Sequence, residues 1–350
     1  MSQRRAATAQ WGQRRVVTGD GGPGRSVFLS DGSPEAKRDR AEGSLTLWRL
    51  AESPGGDGFA GHGAVTWQIA RLPGGTEASS LAPFAQGPNE SESLEFNQIF
   101  EGQAELVLDQ GRTRVGPGDA IVRRGSAQRW RVLGDRPLVC SSIVLEPRES
   151  GDSRGTLPPG LGARERKAPE DESPRRIVTG ISSDGRSCIE SVGGVPNAFH
   201  FEHGGGMAYA DLWQTMGNLD SAAVGGDAPD DSIQLLPHGD GIAWKRLVVP
   251  AESVRMKLDR AKLAEERRRR AAGLSRGGQR DPDQPGRHRT DTVDLVQILE
   301  GQLRLNLDPR NHVDLVAGDC VVQQGSWHTW TNHGQVPCVF DVVMMTTAPR

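Results

Sequence analysis

An ordered internal repeat constrains this chain more than any other feature of its sequence. Short motifs of the first half return in the second half in the same order. A period of this length indicates duplication of a whole domain rather than a solenoid of short repeats, and 350 residues are enough for two domains. The matching segments are 14–19 with 175–180, 24–26 with 185–187, 47–48 with 212–213, 99–103 with 298–302, 118–119 with 318–319, 125–126 with 325–326, and Trp130 with Trp330.

The repeat predicts two domains, a linker and a tail. Residues 148–173 are rich in proline, glycine and charge, which is typical of a linker. Residues 1–13 are predicted to be a flexible tail, so that the domains span 14–147 and 174–350. The second copy also contains a charged insertion at 258–287 that the first copy lacks. We expect it to be a mobile or helical excursion outside the second domain, with a solvated charged face.

Both halves have the hydrophobic pattern of β-strands. Apolar and polar residues alternate in 104–108 and in 303–307, which is the period of half-buried strands. Turn-forming residues follow, for example at 116–119 and 308–311. Short strands with regular turns and little helix predict an all-β fold in which each half is a barrel or a double-sheet jelly roll.

Composition and charge argue against several classes of partner. The formal net charge of -3 gives no electrostatic reason to expect nucleic acid or a membrane surface. No run of about 18 apolar residues exists that could span a bilayer. The N-terminal residues include no apolar segment typical of a secretory signal. The four cysteines form no CxxC pair, which favours free thiols and a cytoplasmic protein.

Three side chains of the second half have the chemistry of a metal site. If the chain from 288 onward is a strand, His288, Thr290 and Asp294 point to the same face, and a later strand delivers His328 to the barrel interior. Two imidazoles and a carboxylate suit non-haem Fe(II) with open positions, and Zn, Mn or Ni would also accept them. We therefore expect one divalent metal, Fe(II) favoured, on His288, Asp294 and His328. The alternative is that both histidines are merely hydrogen-bonded interior residues.

Two further residues are candidates for a substrate pocket beside that metal. Thr290 offers no strong ligand, so it should leave an open edge through which water or substrate enters. Trp330 shares strand parity with His328 and could form a pocket wall for an apolar or aromatic substrate. Core packing is the alternative for Trp330. The sequence does not identify catalytic residues.

The same segments resemble the two motifs of the cupin family. In the first motif a pair of histidines is followed by a glutamate and a closing glycine, and in the second a Gly-Asp turn is followed by a histidine and an asparagine. The resemblance implies a bicupin, that is, two cupin jelly-roll barrels from an internal duplication. The matching positions are His288, Thr290 in place of the second histidine, Asp294 in place of the glutamate, Gly301, Gly318, His328 and Asn332.

The first half lacks this set of metal ligands. On the repeat alignment, Asn89, Ser91, Glu95 and Gln128 stand where the second half has His288, Thr290, Asp294 and His328. One carboxylate with neutral amides holds a transition metal poorly. The first barrel is therefore predicted to be structural, or to bind an organic ligand without a metal.

The resemblance implies an enzyme but does not choose its reaction, since cupin barrels host many chemistries. The ligand set favours a metal-dependent, oxygenase-type oxidoreductase acting on a small organic acid or an aromatic or polyketide-like metabolite. An isomerase, cyclase or decarboxylase at the same site is an alternative. So are a barrel that binds a small molecule without turnover and a storage-like bicupin. The expected partner is a small-molecule substrate, and a homodimer is left open.

Overall fold

The computed structural model describes residues 11–22, 25–34, 44–50, 63–79, 81, 93–146, 174–215, 226, 236–237, 239–270, 278–284 and 286–347. The predicted linker at 148–173 lies outside these residues. The strands of the first half are β1 Arg15–Asp20, β2 Ser26–Gly32, β3 Ser44–Leu50, β4 Val65–Leu72, β5 Glu77–Ala78, β6 Leu94–Glu101, β7 Gln103–Val107, β8 Arg112–Val115, β9 Ala120–Arg124, β10 Arg129–Leu133 and β11 Leu138–Leu145.

The second half follows a similar order, with two helices and additional short strands. Its elements are β12 Arg175–Ile181, β13 Ser187–Gly194, β14 Ala198–His200, β15 Ala208–Gln214, β16 Ile242–Val249, α1 Glu252–Arg255, α2 Arg260–Arg270, β17 Gly278–Arg280, β18 His288–Thr290, β19 Thr292–Glu300, β20 Gln302–Asp308, β21 Asn311–Val316, β22 Cys320–Gln324, β23 Thr329–Thr331 and β24 Cys338–Thr346. The predicted all-β fold of two duplicated barrels is confirmed.

Each barrel consists of one large and one small sheet. The first barrel combines the sheet β13-β12-β9-β6-β11-β4-β3 with the sheet β5-β10-β7-β8. The second combines β14-β15-β16-β24-β19-β22-β1-β2 with β21-β20-β23. Every second residue of a strand in the large sheet points to the small sheet, as the period-2 pattern requires. Ile99 and Trp130 share the apolar core of the first barrel, and Ile298 and Leu305 share that of the second.

The two halves exchange their first hairpins. Strand β1 pairs in parallel with β22 of the second half, and β12 pairs in parallel with β9 of the first half. Val16 is therefore part of the second core and Ile177 part of the first. The predicted domains, 14–147 and 174–350, follow the sequence repeat, but the sheets cross that division. Parity and turn signals locate strands without specifying which sheet they join, so the exchange was not predictable from them.

Matching ion pairs fasten both exchanged hairpins. Arg14 contacts the carboxylate of Asp319 at 3.1 Å, and its repeat counterpart Arg175 contacts Asp119 at 2.5 Å. Both aspartates lie in the Gly-Asp turns that precede β22 and β9. Burial raises the pKa of both Asp119 and Asp319, whereas the arginines and the turn backbone act to lower it. The repeated arginine and aspartate residues thus form the ion pairs that connect one half of the sequence to the other.

The outer faces of the two large sheets pack on each other and form a third core. Trp67 and Phe96 from the first barrel are buried there with Trp244 and Leu295 from the second. The rings of Phe96 and Trp244 have centroids 5.1 Å apart. Burying aromatic and aliphatic side chains stabilises by about 1.5–3 kcal/mol each. A continuous apolar interface therefore contributes to the association of the barrels.

Two predicted peripheral segments are packed against the fold. Trp11, within the predicted tail of 1–13, stacks on Phe100 with ring centroids 4.0 Å apart and donates to Glu101 at 2.8 Å. In the insertion, residues 271–277 lie outside the described part. Its helix α2 forms as expected, but Glu266 is buried rather than solvated, because it accepts hydrogen bonds from the backbone amides of 202 and 203 at 2.9 and 3.0 Å.

The cysteines form no disulfide bond in the structure. All four cysteines are free, and Cys140, Cys320 and Cys338 are buried. Within the described residues, no helix combines the length and apolar character needed to cross a membrane.

Candidate functional site

The two histidines of the predicted site lie side by side in the second barrel. His288 and His328 form an isolated antiparallel bridge, in which each backbone amide donates to the carbonyl of the other residue at 3.0 and 2.9 Å. Directly opposed residues in such a pair place their side chains on the same face. The imidazole centroids are accordingly 4.4 Å apart. The sequence thus predicted the pair, while the bridge that joins it is a tertiary feature.

The insertion helps to hold His288 in place. Strand β17, within the segment that was predicted to lie outside the barrel, pairs with β18, with Arg280 opposite His288 and Gly278 opposite Thr290. His288 is therefore held between β17 and His328. Arg287 also pairs with Asp281 at 2.7 Å inside the same insertion. The prediction of a mobile or helical segment did not include this strand, because a short strand needs only backbone pairing and not an apolar sequence.

Each imidazole is held in one tautomer by a backbone carbonyl. Nδ1 of His288 lies 3.0 Å from the Gly286 oxygen, and Nδ1 of His328 lies 2.8 Å from the Ser326 oxygen. A carbonyl only accepts, so each Nδ1 donates to it. The Gln323 amide nitrogen also lies 3.1 Å from Nδ1 of His328, but its two protons can go to the carbonyl and hydroxyl oxygens of Ser326 at 3.1 and 2.7 Å. The lone pair is then on Nε2 of each ring, which is the form in which histidine binds a metal.

Burial also favours the neutral imidazoles. It lowers the pKa of His328 to about 3, with the neighbouring His288 as a second cause. Burial likewise lowers the pKa of His288, partly offset by the carbonyl of Gly286. Both rings are therefore unprotonated at neutral pH, and neither must lose a proton before it binds a metal.

Asp294 does not join the histidines as the third ligand. In the described residues, no group of three histidine, cysteine, aspartate or glutamate side chains is placed to hold a metal ion. The Asp294 carboxylate instead accepts a hydrogen bond from Thr292 at 2.6 Å, and the hydroxyls of Thr292 and Thr290 are 2.7 Å apart. Strand parity predicted a common face for Thr290 and Asp294, but it could not predict how far Asp294 lies from the histidines. Thr290 is buried and hydrogen-bonded, so it is not an open edge.

Burial of this carboxyl group changes its acid–base chemistry. Removal from water raises the pKa of Asp294 to about 7, although the Thr292 hydrogen bond acts to lower it. The group can therefore gain or lose a proton near neutral pH. Thr292 was missed by the sequence argument, although its parity with Thr290 and Asp294 could have indicated it.

An aromatic ring lies against His328, and a second tryptophan lies beside it in the sequence. Trp330 presents its ring edge-on to His328 at 5.7 Å and stacks on Phe340 at 5.9 Å. Trp330 is half-buried and packs on the core of the second barrel. It can therefore be part of the core and a wall beside His328 at the same time. Trp327 lies beneath the guanidinium groups of Arg287 and Arg289, at 5.0 and 5.4 Å.

The exchanged hairpin of the first half reaches this site. The hydroxyls of Thr18 and Ser326 are 2.7 Å apart, and Ser326 provides the carbonyl that orients His328. The Gln323 amide also donates to the Ser326 hydroxyl at 2.7 Å. Residues 18 and 326 both belong to the repeated motifs, which was the one sequence signal for this contact.

The equivalent positions of the first barrel contain different chemistry. Asn89 and Ser91 lie outside the described residues. Glu95, at the position of Asp294, forms a buried ion pair with Arg123 at 2.5 Å. Gln128, at the position of His328, is also buried. The positive charge of Arg123 therefore compensates Glu95, which is the only carboxylate among the four positions equivalent to the predicted metal site.

A small cavity lies between the barrels and not at the histidines. It measures about 20 Å³ and is lined by pairs of repeat-equivalent residues, including Gln98 with Gln297 and Trp67 with Trp244. That volume admits one water molecule, so it does not compete with the histidine pair as a ligand site.

Among the described residues, the two imidazoles of the second barrel are candidate ligands for a divalent transition metal, without a third histidine, cysteine or carboxylate beside them. Two neutral imidazoles with Nε2 lone pairs suit Fe(II), Zn and related ions, and the backbone carbonyls on Nδ1 provide the usual support for such ligands. Two imidazoles leave most coordination positions to water or substrate.

Comparisons with known proteins give one curated relative and several solved structures. No family model matches the sequence. The cupin-domain-containing oxidoreductase fogC of Aspergillus ruber is 27% identical over 165 residues, which cover 41% of this chain and 80% of that protein. A cupin 2 conserved barrel domain protein from Leptotrichia buccalis matches 87% of this chain and 90% of its own, with 8% identity and a TM-score of 0.42. The oxalate decarboxylase of Lactobacillus farciminis matches 88% and 87%, with 10% identity and a TM-score of 0.38.

Proposed function

We propose that this chain is a two-barrel member of the cupin superfamily and that its second barrel is the active site of a metal-dependent oxidoreductase. The observation that carries the proposal is the pair formed by half-buried His288 and buried His328, each with Nδ1 on a backbone carbonyl. The oxidoreductase description of the curated relative supports the reaction class. The proposed substrate is a small organic acid or an aromatic or polyketide-like metabolite, and oxygenase chemistry is the favoured form.

The protein residues have three tasks in this proposal. His288 and His328 would hold one divalent metal through Nε2, with Fe(II) favoured. When bound, such a metal supplies Lewis-acid or O2-activating chemistry at its open positions. The remaining tasks, proton handling and substrate binding, belong to other side chains.

Proton handling is assigned to the Asp294 carboxyl. Its pKa of about 7 places both protonation states within reach at neutral pH, which suits a general acid or base. The hydroxyls of Thr292 and Thr290 extend from it in a hydrogen-bonded series with distances of 2.6 and 2.7 Å. A proton can pass between the carboxylate Oδ1 and the outer hydroxyl along this series.

Substrate binding is assigned to the aromatic wall formed by Trp330. Its ring lies beside His328 and is supported by Phe340. Aromatic walls with a few polar groups are typical of small-molecule pockets. This favours a substrate with an apolar or aromatic portion.

Metal analysis of protein purified without a nickel column tests the proposal. We expect one transition metal per chain in the native protein. His328→Ala and His288→Ala should each lower the metal content to below about a tenth, because loss of one of two protein ligands removes most of the affinity. Gln128→Ala, at the equivalent position of the first barrel, is the matched control and should retain the metal.

A native protein that binds no metal after incubation with Fe(II), Zn, Mn or Ni would contradict the proposal. A barrel that captures a small molecule without turnover would then be the better interpretation. If metal binds, oxygen uptake with candidate substrates separates an oxygenase from an isomerase, cyclase or decarboxylase, which consume no oxygen in the net reaction.

A further inference from the structure

One arginine of the insertion shares a face with the histidine pair. Arg280 on β17 is the direct partner of His288 on β18, and His288 is the direct partner of His328. Directly opposed residues of antiparallel pairs project from the same face. The guanidinium of Arg280 therefore projects from the face that carries the two imidazoles, which we call the histidine face.

The other arginines of this segment project from the opposite face. Arg287 and Arg289 flank the histidine of β18, and successive residues of a strand alternate between its faces. Arg287 pairs with Asp281 at 2.7 Å, and Nε of Arg289 donates to the Gln279 side chain at 3.0 Å. Within the described part of the chain, the Arg280 guanidinium has no hydrogen bond or ion pair. Its donors are therefore available to a ligand on the histidine face.

The charged groups around the two imidazoles are positive. Burial and the charge of Arg280 lower the pKa of His288. Burial, His288 and the charge of Arg287 lower the pKa of His328. Among the described residues, no carboxylate acts on the pKa of either ring. Such a field attracts an anion, and a divalent metal on two neutral imidazoles would strengthen it.

Strand β17 leaves room for a ligand beside Arg280. All three residues of β17 are exposed, and Gly278 lies opposite Thr290 on the histidine face. Apart from chain neighbours, a Cβ atom added at Gly278 would meet Cδ1 of Leu236 at 3.3 Å and the Arg289 carbonyl oxygen at 3.8 Å among the described residues. A glycine within a strand often marks the close approach of a ligand. A ligand can therefore reach this face from solvent, without an enclosed cavity.

The arrangement fits a small carboxylate. A guanidinium binds the planar carboxylate group through two parallel N–H···O bonds. Directly opposed residues of antiparallel strands have Cα atoms about 5 Å apart, so that Arg280 and His328 are separated by roughly 10 Å along the row. A small acid can span this distance, with its carboxylate on Arg280 and its other end towards the imidazoles.

We propose that Arg280 binds the carboxylate of a small acid that is the substrate of the second barrel. The proposal selects the organic acid among the substrates considered above, and it rests on the function proposed for the histidine pair. Arg280 is then a specificity-determining residue that favours anionic substrates over neutral molecules of the same shape.

The test uses the full chain, with benzoate as the probe and benzamide as its neutral counterpart of nearly the same shape. Isothermal titration calorimetry at constant ionic strength measures binding to Co(II)-loaded and to EDTA-treated protein. The native chain should bind benzoate at least about tenfold more tightly than benzamide. Arg280→Gln should abolish this preference and retain Co(II). Arg289→Gln removes the same charge from the opposite face, and as the matched control it should keep the preference.

A second variant tests the room over β17. Gly278→Val places a side chain on the histidine face beside Arg280, and it should weaken benzoate binding at least about tenfold. Gln279→Val, whose side chain projects from the opposite face, is its control and should leave benzoate binding unchanged.

The outcomes separate this proposal from the function on which it rests. Equal affinity of the native chain for benzoate and benzamide, including no detectable binding of either, would overturn the role of Arg280. Equal benzoate affinity of the native chain and Arg280→Gln would overturn it as well. Failure of the native chain to bind Co(II) would contradict the metal site instead, and the titrations of EDTA-treated protein would still decide the role of Arg280.

Discussion

At the scale of single residues, the second barrel buries an acid and a base with opposite effects on stability. The pKa of Asp294 is raised to about 7 and that of His328 is lowered to about 3, in both cases mainly by removal from water. Each group is therefore neutral over the pH range in which its unfolded counterpart is charged. That neutrality keeps a proton available on the carboxyl and a lone pair available on the imidazole.

In metal-free protein, the pKa shifts of Asp294 and His328 should change the stability in opposite directions as the pH rises, so that their effects partly cancel. Between pH 4 and 7 the folded state holds a proton on Asp294 that the unfolded state releases, so stability falls as pH rises. Between pH 3 and 6.5 the unfolded state protonates His328 and the folded state does not, so stability rises with pH. The two contributions oppose each other in the native protein between pH 4 and 6.5.

Asp294→Asn should remove the opposing contribution of this carboxyl group. We expect the free energy of unfolding to rise by about 2 kcal/mol from pH 4.5 to 6.5, since one pKa unit corresponds to about 1.4 kcal/mol. Urea unfolding in the presence of EDTA measures this, with the exposed Asp135→Asn as control. A variant profile that parallels the native one would show that Asp294 is not protonated in the folded protein.

At the scale of elements, the exchanged hairpins have matching contacts but different consequences. Thr18 contacts Ser326 and Thr179 contacts Ser126, both at 2.7 Å. Only the first contact leads to a histidine, because Gln128 occupies the equivalent position in the first barrel. The hairpin of the first half is thus a support of the site in the second.

Thr18→Val should weaken metal binding while the matched variant Thr179→Val should not. Loss of the Thr18 hydroxyl leaves Ser326 less constrained, and changes of this kind lower metal affinity by about 10- to 100-fold. Thr18→Ser should restore the affinity. Titration with Co(II), followed by its visible spectrum, measures the effect. Equal losses in both valine variants would indicate a general loss of stability instead.

The insertion has a similar supporting role through β17. Its residues are absent from the three large apolar cores among the described residues, yet β17 pairs with the strand that carries His288. The insertion therefore matters more to the site than to the barrels.

Deleting 262–284 should leave a folded protein with weak metal binding. We expect the circular dichroism of the β-sheets to be retained and the Co(II) affinity to fall at least about tenfold, because β18 loses one pairing partner. A Gly-Ser segment of the same length is the control for loop closure, and it should not restore affinity. Full affinity in the deletion variant would contradict a positioning role for β17.

At the scale of the whole molecule, neither barrel is complete within one half of the sequence. Each large sheet contains a hairpin from the other half, and the outer faces share one apolar core. Separation of the halves therefore exposes an unpaired strand edge and an apolar sheet face at once, which favours aggregation.

The fragments 14–147 and 174–348 should not fold separately. Expressed alone, each is expected to aggregate, whereas co-expression should give a soluble 1:1 complex that binds metal like the intact chain. Size-exclusion chromatography and metal content measure the outcome. A folded monomer from either fragment alone would show that the exchanged hairpin is dispensable.

The amino-acid order was sufficient to predict the all-β duplication, the strand faces and the pairing of His288 with His328. These depend on local periodicity and on repeated motifs, such as those containing Thr18 and Ser326, which are properties of the chain order. The distance of Asp294 from the histidines, the exchange of β1 and β12, and the pairing of β17 with β18 were decided by the tertiary structure. Each of these depends on which strands become neighbours, and the period-2 pattern specifies the two faces of a strand but not its pairing partner.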